Sequence, residues 1–226
     1  MNLLPNHLRL YAVTDRSWLP PDKKLTDFLE ILLQNGVSCV QLREKALSDD
    51  ELLSEALAVK ALCQKYRVPF IINDRPDIAK RVKADGVHVG LSDMGIANAR
   101  ALLGPDYIIG GSAHNVTEAR AAEAAGANYI GCGAVFGSTT KTDAGTLPIS
   151  VLKDICQAVS IPVVAIGGIS AENISALTDT GIAGAAVISA LFAAQNPAEA
   201  AKTLSIKLST LSSNQLEHCQ SSAEKR

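Results

Sequence analysis

The 226-residue chain gathers its reactive side chains into a few short stretches. Gln41, Arg43 and Lys45 alternate along Gln41-Leu42-Arg43-Glu44-Lys45. Alternate residues of an extended strand share a side, so these three could face one ligand. Arginine presents a planar fork to phosphate oxygens, and lysine a point charge. Lys141, which closes Ser138-Thr139-Thr140-Lys141, is a further cation. The same residues could instead be a solvated charge cluster closing a strand. Asp74 and Asp93 are carboxylates that could pair with these cations or hold Mg2+. Mg2+ takes one or two carboxylates and fills its shell with water and substrate phosphate oxygens. A diphosphate would then be clamped between the metal and the cations. Ile166-Gly167-Gly168-Ile169 and Val187-Ile188-Ser189 suggest a second anion site, since glycine lets the backbone approach a phosphate closely. The glycine pair also fits a plain strand-to-helix turn. His88, in an apolar stretch, reads as a core residue rather than a general base, while His114 could hold phosphate or cap a helix.

What must position these residues is a series of eight short apolar runs: Leu8–Val13, Cys39–Leu42, Phe70–Ile72, Gly86–Val89, Tyr107–Gly110, Tyr129–Cys132, Val163–Ile166 and Ala185–Ile188. They are β-branched and nearly continuous, as parallel strands buried on both faces should be. Amphipathic stretches lie between them. Helices are expected over Asp27–Leu33, from a capping box at Ser48 and Glu51 to Tyr66, from Pro76, over Val116–Ala125 before Gly126, and over Glu172–Thr180 before Gly181. The class is α/β, and eight units favour a single (β/α)8 TIM barrel over residues 1–211. An open doubly wound sheet is the alternative, but no G-x-G-x-x-G follows the first run. Residues 212–226 are polar and expected to be a disordered tail. Active sites of such barrels lie at the C-terminal strand ends, where Thr14, Arg43, Asp74, Asp93, Ser112, Lys141, Gly168 and Ser189 all fall. The other rim offers turn residues such as Gly36, Pro69, Gly126 and Pro162.

A net charge of −2 gives no basic excess, so neither nucleic acid nor membrane is an expected partner. The partners should be small molecules, with self-association left open. The five cysteines are odd in number and lack C-x-x-C spacing, which fits reduced thiols in a cytoplasmic protein. The first residues lack the pattern of a secretory signal, and no apolar run approaches the roughly 20 residues of a membrane helix.

From Tyr11-Ala12-Val13-Thr14-Asp15 to Val187-Ile188-Ser189 the chain resembles the thiamine phosphate synthase family. The matching stretches are Gln41–Lys45, Ile72-Asn73-Asp74-Arg75, Asp85–Gly90 with Asp93, Gly111-Ser112-Ala113-His114, Thr140-Lys141 and Ala165–Ile169. Each is weak alone, but their order at successive strand ends is specific. The resemblance implies a transferase of thiamine biosynthesis. It would condense hydroxymethylpyrimidine diphosphate with hydroxyethylthiazole phosphate, or its carboxylated form, releasing diphosphate. It implies Mg2+ on Asp74 and Asp93. Gln41, Arg43, Lys45, Asn73, Ser112 and Lys141 would bind the pyrimidine diphosphate, with Leu42 and Glu44 in the same binding stretch. Arg43, Lys45, Ser112 and Lys141 would be catalytic. Ser138, Thr139, Thr140, Gly168, Ile188 and Ser189 would surround the thiazole phosphate. Leu91, Ala134, Gly137 and Ser138 depart from the family pattern without removing a carboxylate or a cation. The related thiazole tautomerase shares the barrel but should not need the full diphosphate clamp. A non-catalytic phosphate sensor on the same fold would not need the metal and cation set.

Overall fold

The computed structural model describes residues 3–19, 22–90, 95–137 and 145–223; the side chains of Pro5 and of 212–223 are not described. Eight parallel strands close into a barrel in sequence order. They are β1 (Leu10–Val13), β2 (Cys39–Leu42), β3 (Phe70–Asn73), β4 (Gly86–Val89), β5 (Ile108–Ala113), β6 (Tyr129–Cys132), β7 (Val163–Ile166) and β8 (Gly184–Val187). Every apolar run of the sequence overlaps one of them. Closure pairs β8 with β1 through Ala186 and Tyr11.

Closing the sheet separates two apolar layers. Alternate strand residues such as Tyr11, Ile71, Ile108, Tyr129 and Val164 point inward and fill the barrel. The residues between them, such as Ala12, Val40, Ile72, Val87 and Ile109, pack against the outer helices. Both faces of each strand are therefore buried, which is why the runs carry little polar alternation.

The outer layer comprises α1 (Leu25–Gln34), α2 (Asp49–Tyr66), α3 (Pro76–Val82), α4 (Ile96–Leu103), α5 (Val116–Ala124), α6 (Ile149–Ala158), α7 (Ser189–Phe192) and α8 (Pro197–Ala223). Helix α2 starts where the capping box predicts: Glu51 N–H donates to Ser48 Oγ and Ser48 N–H donates to Glu51 Oε2. Pro76 opens α3 at its first position. Gly126 follows α5 with φ +92°, the left-handed conformation expected there. Helix α8 runs across the 211/212 boundary drawn from the sequence.

The helix expected over Glu172–Thr180 is a correction. Only a 3-10 turn, Ile174–Leu177, forms. The segment is rich in side chains that satisfy backbone groups locally and so compete with helix. Asn173 Nδ2 donates to Gly168 O at 2.8 Å, and Asn173 Oδ1 accepts from Ser170 N–H at 2.9 Å. Thr178 and Thr180 hydroxyls donate to the carbonyls of Ser175 and Leu177, both at 2.7 Å. Asn173 thus serves the loop after β7 instead of a longer helix.

Candidate active site

A cavity opens at the C-terminal ends of the strands. One wall carries Gln41, Arg43, Asn73, Asp74, Ser112 and His114, and the other Gly167, Gly168, Ile188 and Ser189. The alternation rule places Gln41 and Arg43 on the wall together, but β2 ends at Leu42, and Lys45 stands in the loop beyond it, exposed and off the wall. Leu42 points the other way, into the strand–helix core. Arg43 is fixed through its backbone: its N–H donates to the fully buried Thr14 Oγ1 at 2.9 Å.

Glu44 also leaves the cavity. Its side chain is only 4% exposed, and Arg16 Nε donates to it at 3.4 Å. The second Glu44 oxygen, Oε1, is buried with no partner among the described residues. Burial pushes this carboxyl above its ordinary range, and the neighbouring Arg16 guanidinium opposes that shift. Arg75, directly after Asp74, is drawn away as well, to Asp49 and Asp77 at 2.8 Å each.

Asp74 has φ +57°, a left-handed conformation uncommon outside glycine. Its N–H donates to His88 O at 2.8 Å, and its carboxylate accepts from Asn73 Nδ2 at 2.5 Å. Such backbone conformations persist where surrounding structure over-determines them, often at ligand sites. Asp93, Leu91, Ser138, Thr139, Thr140 and Lys141 lie outside the described residues. Of the cations expected at the site, Arg43 is the one on the described wall.

Gly168, at φ +64°, runs close beneath the chain after β6. A Cβ there would lie 2.6 Å from Phe136 O and 2.8 Å from Gly137 O. The glycine pair therefore does more than turn the chain; it lets two strand-end loops pass in contact. His114 N–H and Nδ1 both bond Glu118 Oε2, at 2.7 and 3.2 Å, while Asn115 caps α5. His114 sits on the cavity wall just before that cap.

Two residues that the sequence reading passed over matter most on the barrel floor. Tyr11 and Tyr129 are 1% exposed and face each other across the barrel, their hydroxyls 2.8 Å apart. Gln41 Nε2 donates to Tyr11 OH at 2.8 Å, and Tyr129 OH meets His88 Nδ1 at 3.0 Å. His88 Nε2 meets Ser112 Oγ at 3.2 Å. A buried phenol left without a partner costs roughly 1–3 kcal/mol, so the two tyrosines need this network. The signal was present: a tyrosine at an inward strand position must find a hydrogen bond. His88 is thus a structural histidine with both ring nitrogens bonded, in keeping with its place in an apolar strand.

Comparison with known proteins adds a family pattern to this geometry. Residues 10–191 match the family model described as thiamine monophosphate synthase. The chain is 49% identical to the thiamine-phosphate synthase of Methanobrevibacter smithii over 197 residues, covering 87% of this chain and 93% of that protein. It is 45% identical to the thiamine-phosphate synthase of Clostridium acetobutylicum, covering 87% and 92%. The solved thiamine phosphate pyrophosphorylase of Pyrococcus furiosus superposes with a TM-score of 0.85 at 35% identity, covering 92% of this chain and 98% of that one.

Proposed function

Because the chain belongs to the thiamine monophosphate synthase family, we propose that its cavity carries out the transfer of a hydroxymethylpyrimidine group from diphosphate to the nitrogen of hydroxyethylthiazole phosphate, or of its carboxylated form. The observation that carries this reading is the pairing of two unlike walls in one cavity. Gln41, Arg43, Asn73, Asp74 and Ser112 line one side; the Gly168 turn and Ile188-Ser189 line the other.

The reaction is a substitution at a methylene carbon. The C–O bond to the diphosphate breaks and its electron pair leaves with the oxygen. The thiazole nitrogen then donates its lone pair to the pyrimidine methyl cation. Such chemistry depends on stabilising the leaving group and holding two substrates in line, more than on proton transfer. Arg43, Ser112 and Lys141 serve the leaving diphosphate, with Asn73 beside them, and Lys45 reaches it from the loop that follows β2. Gln41 orients the pyrimidine. Gly168, Ile188 and Ser189, with Ser138, Thr139 and Thr140, receive the thiazole phosphate.

Mg2+ fits this donor set. Asp74 brings a carboxylate to the wall beside the residues assigned to diphosphate, and Asn73 orients it. One or two carboxylates suffice for such an ion, which fills the rest of its shell with water and substrate oxygens. Asp74 and Asp93 would hold it. When bound, the ion supplies Lewis-acid stabilisation of the diphosphate oxygens.

We place the reaction in the cytoplasm with small molecules as partners. Cys39, Cys63, Cys132 and Cys156 are free thiols, and among the described residues no helix is long and apolar enough to cross a membrane. The deciding experiment mixes the purified protein with both substrates and either Mg2+ or EDTA, and follows thiamine phosphate and diphosphate. Product is expected only with the metal and to be lost in Asp74→Ala. Metal-independent turnover would remove the Mg2+ assignment, and no turnover under either condition would remove the transferase reading.

A further inference from the structure

The barrel floor holds a continuous polar line, Gln41–Tyr11–Tyr129–His88–Ser112, with links of 2.8, 2.8, 3.0 and 3.2 Å. It crosses five strands (β2, β1, β6, β4 and β5) and has a ligand-facing residue at each end. Two inward glycines make room for it. A Cβ on Gly110 would lie 2.5 Å from His88 Nδ1, against the Tyr129 hydroxyl, and one on Gly131 would lie 3.2 Å from His88 Cε1. Glycine in a strand interior weakens the strand and often marks close approach. Here the approaching group is the Tyr129–His88 pair.

The donors and acceptors give the line a sense. Burial pushes both phenols well above their ordinary range, so each keeps its one hydrogen at neutral pH. Gln41 Nε2 donates to Tyr11, and of the acceptors beside that hydroxyl the Tyr129 oxygen at 2.8 Å is stronger than the Cys39 sulfur, so the Tyr11 hydrogen goes to Tyr129. Tyr129 has then accepted, and its own hydrogen goes to His88 Nδ1. A neutral imidazole that accepts at Nδ1 carries its proton on Nε2 and donates it to Ser112 Oγ. The Ser112 hydroxyl has accepted in turn, and its hydrogen is directed into the cavity that Ser112 lines. Reversing the Gln41 amide would reverse every bond and leave Ser112 donating to histidine instead. Only the first sense presents an anion with a donor.

We propose that Tyr11, Tyr129 and His88 are positioning residues that form a one-way hydrogen-bond line from Gln41, which locks His88 in the Nε2–H tautomer and aims the Ser112 hydroxyl hydrogen at the bound diphosphate. This rests on the assignment of Ser112 to the diphosphate made above. The line couples the residue that orients the pyrimidine to one that holds its leaving group, and it does so without a net proton transfer. A pyrimidine that settles on Gln41 thereby stiffens the donor at the far end.

The test has two parts. The first is the nitrogen-15 NMR spectrum of the imidazoles in the substrate-free full chain, which has four histidines. The His88 signal is assigned by its loss in His88→Asn. The Nε2–H tautomer is expected in the parent and a mixture of tautomers in Tyr129→Phe; an Nδ1–H tautomer in the parent would overturn the proposal. The second is turnover. Tyr129→Phe and, independently, Tyr11→Phe should lower kcat about 10- to 100-fold with KM nearly unchanged, the scale expected when a reacting group is misplaced slightly. In a Ser112→Ala background the Tyr129→Phe effect should vanish, because Tyr129 acts through Ser112. An equal effect in both backgrounds would overturn the proposal. The tautomer is read without substrate, so it decides the sense of the line even if the transferase reading fails. Absence of turnover in the parent would strike that reading alone.

Discussion

Gly168 allows backbone conformation and steric contact to be separated by three alanine substitutions. At Gly145 an added Cβ meets nothing within 4 Å among the described residues. At Gly137 it likewise meets nothing within 4 Å among the described residues, but φ is +77°. At Gly168 φ is +64° and the Cβ would also sit 2.6 and 2.8 Å from two backbone oxygens. Gly145→Ala should therefore stay within about 0.5 kcal/mol of the parent. Gly137→Ala should cost roughly 1–2 kcal/mol, the penalty for an L residue in the left-handed region. Gly168→Ala carries that penalty plus roughly 1–3 kcal/mol of overpacking, because carbonyl oxygens cannot swing aside as a side chain can. Its total is then about 2–5 kcal/mol. For a chain of this length each kcal/mol lowers Tm by roughly 2–4 °C, so the three variants should melt in a clear order. Differential scanning calorimetry with urea midpoints as a second readout would measure it. Gly168→Ala should also raise KM for the thiazole phosphate, since the new methyl group intrudes between the loops of that wall. The reasoning fails if Gly168→Ala is no less stable than Gly137→Ala, for then the two oxygens impose no constraint.

Other consequences are more local. Ser48→Ala removes the acceptor for Glu51 N–H at the start of α2 and should cost about 0.5–2 kcal/mol, with turnover unchanged; a loss of activity at full stability would contradict a purely capping role. Glu44→Gln tests the buried carboxyl. Its folded-state pKa lies above the ordinary 4.5, so the native state holds that proton more tightly than the unfolded chain. The contribution of Glu44 is therefore fully present below the ordinary value and is lost as pH rises through the folded one. Urea midpoints should shift in favour of Glu44→Gln as the pH rises above the ordinary carboxylate range, and a difference independent of pH would refute the assignment. Burial pushes the Cys63 and Cys132 thiols up to about 12, so both should resist iodoacetamide at about pH 8 in the native protein and react on unfolding. Mass spectrometry of the labelled peptides reads this directly, and rapid native labelling would mean that the core opens.

The strands and their rim were legible because both are local properties. A strand buried on two faces must be apolar along its length, and the C-terminal end of each run can be read from the order of residues alone. That reasoning put Gln41, Arg43, Asn73, Asp74, Ser112, Gly168 and Ser189 at one rim, and the cavity at that rim is lined by all of them. It reached its limit where β2 stops: alternation needs extended backbone, and beyond Leu42 the chain bends, so Lys45 leaves the line of Gln41 and Arg43. It also overran at Glu172–Thr180, where Asn173 answers to Gly168 and Ser170 rather than to its own helix.

The line of five polar residues across the barrel floor belongs wholly to the tertiary structure. Tyr11 and Tyr129 are 118 residues apart, and nothing local in either strand names the other. Their partnership arises because closing eight strands points alternate side chains at a common axis, where a buried hydroxyl must find its hydrogen bond across the barrel or go without. The amino-acid order determined which residues would face inward; only closure determined whom they would meet.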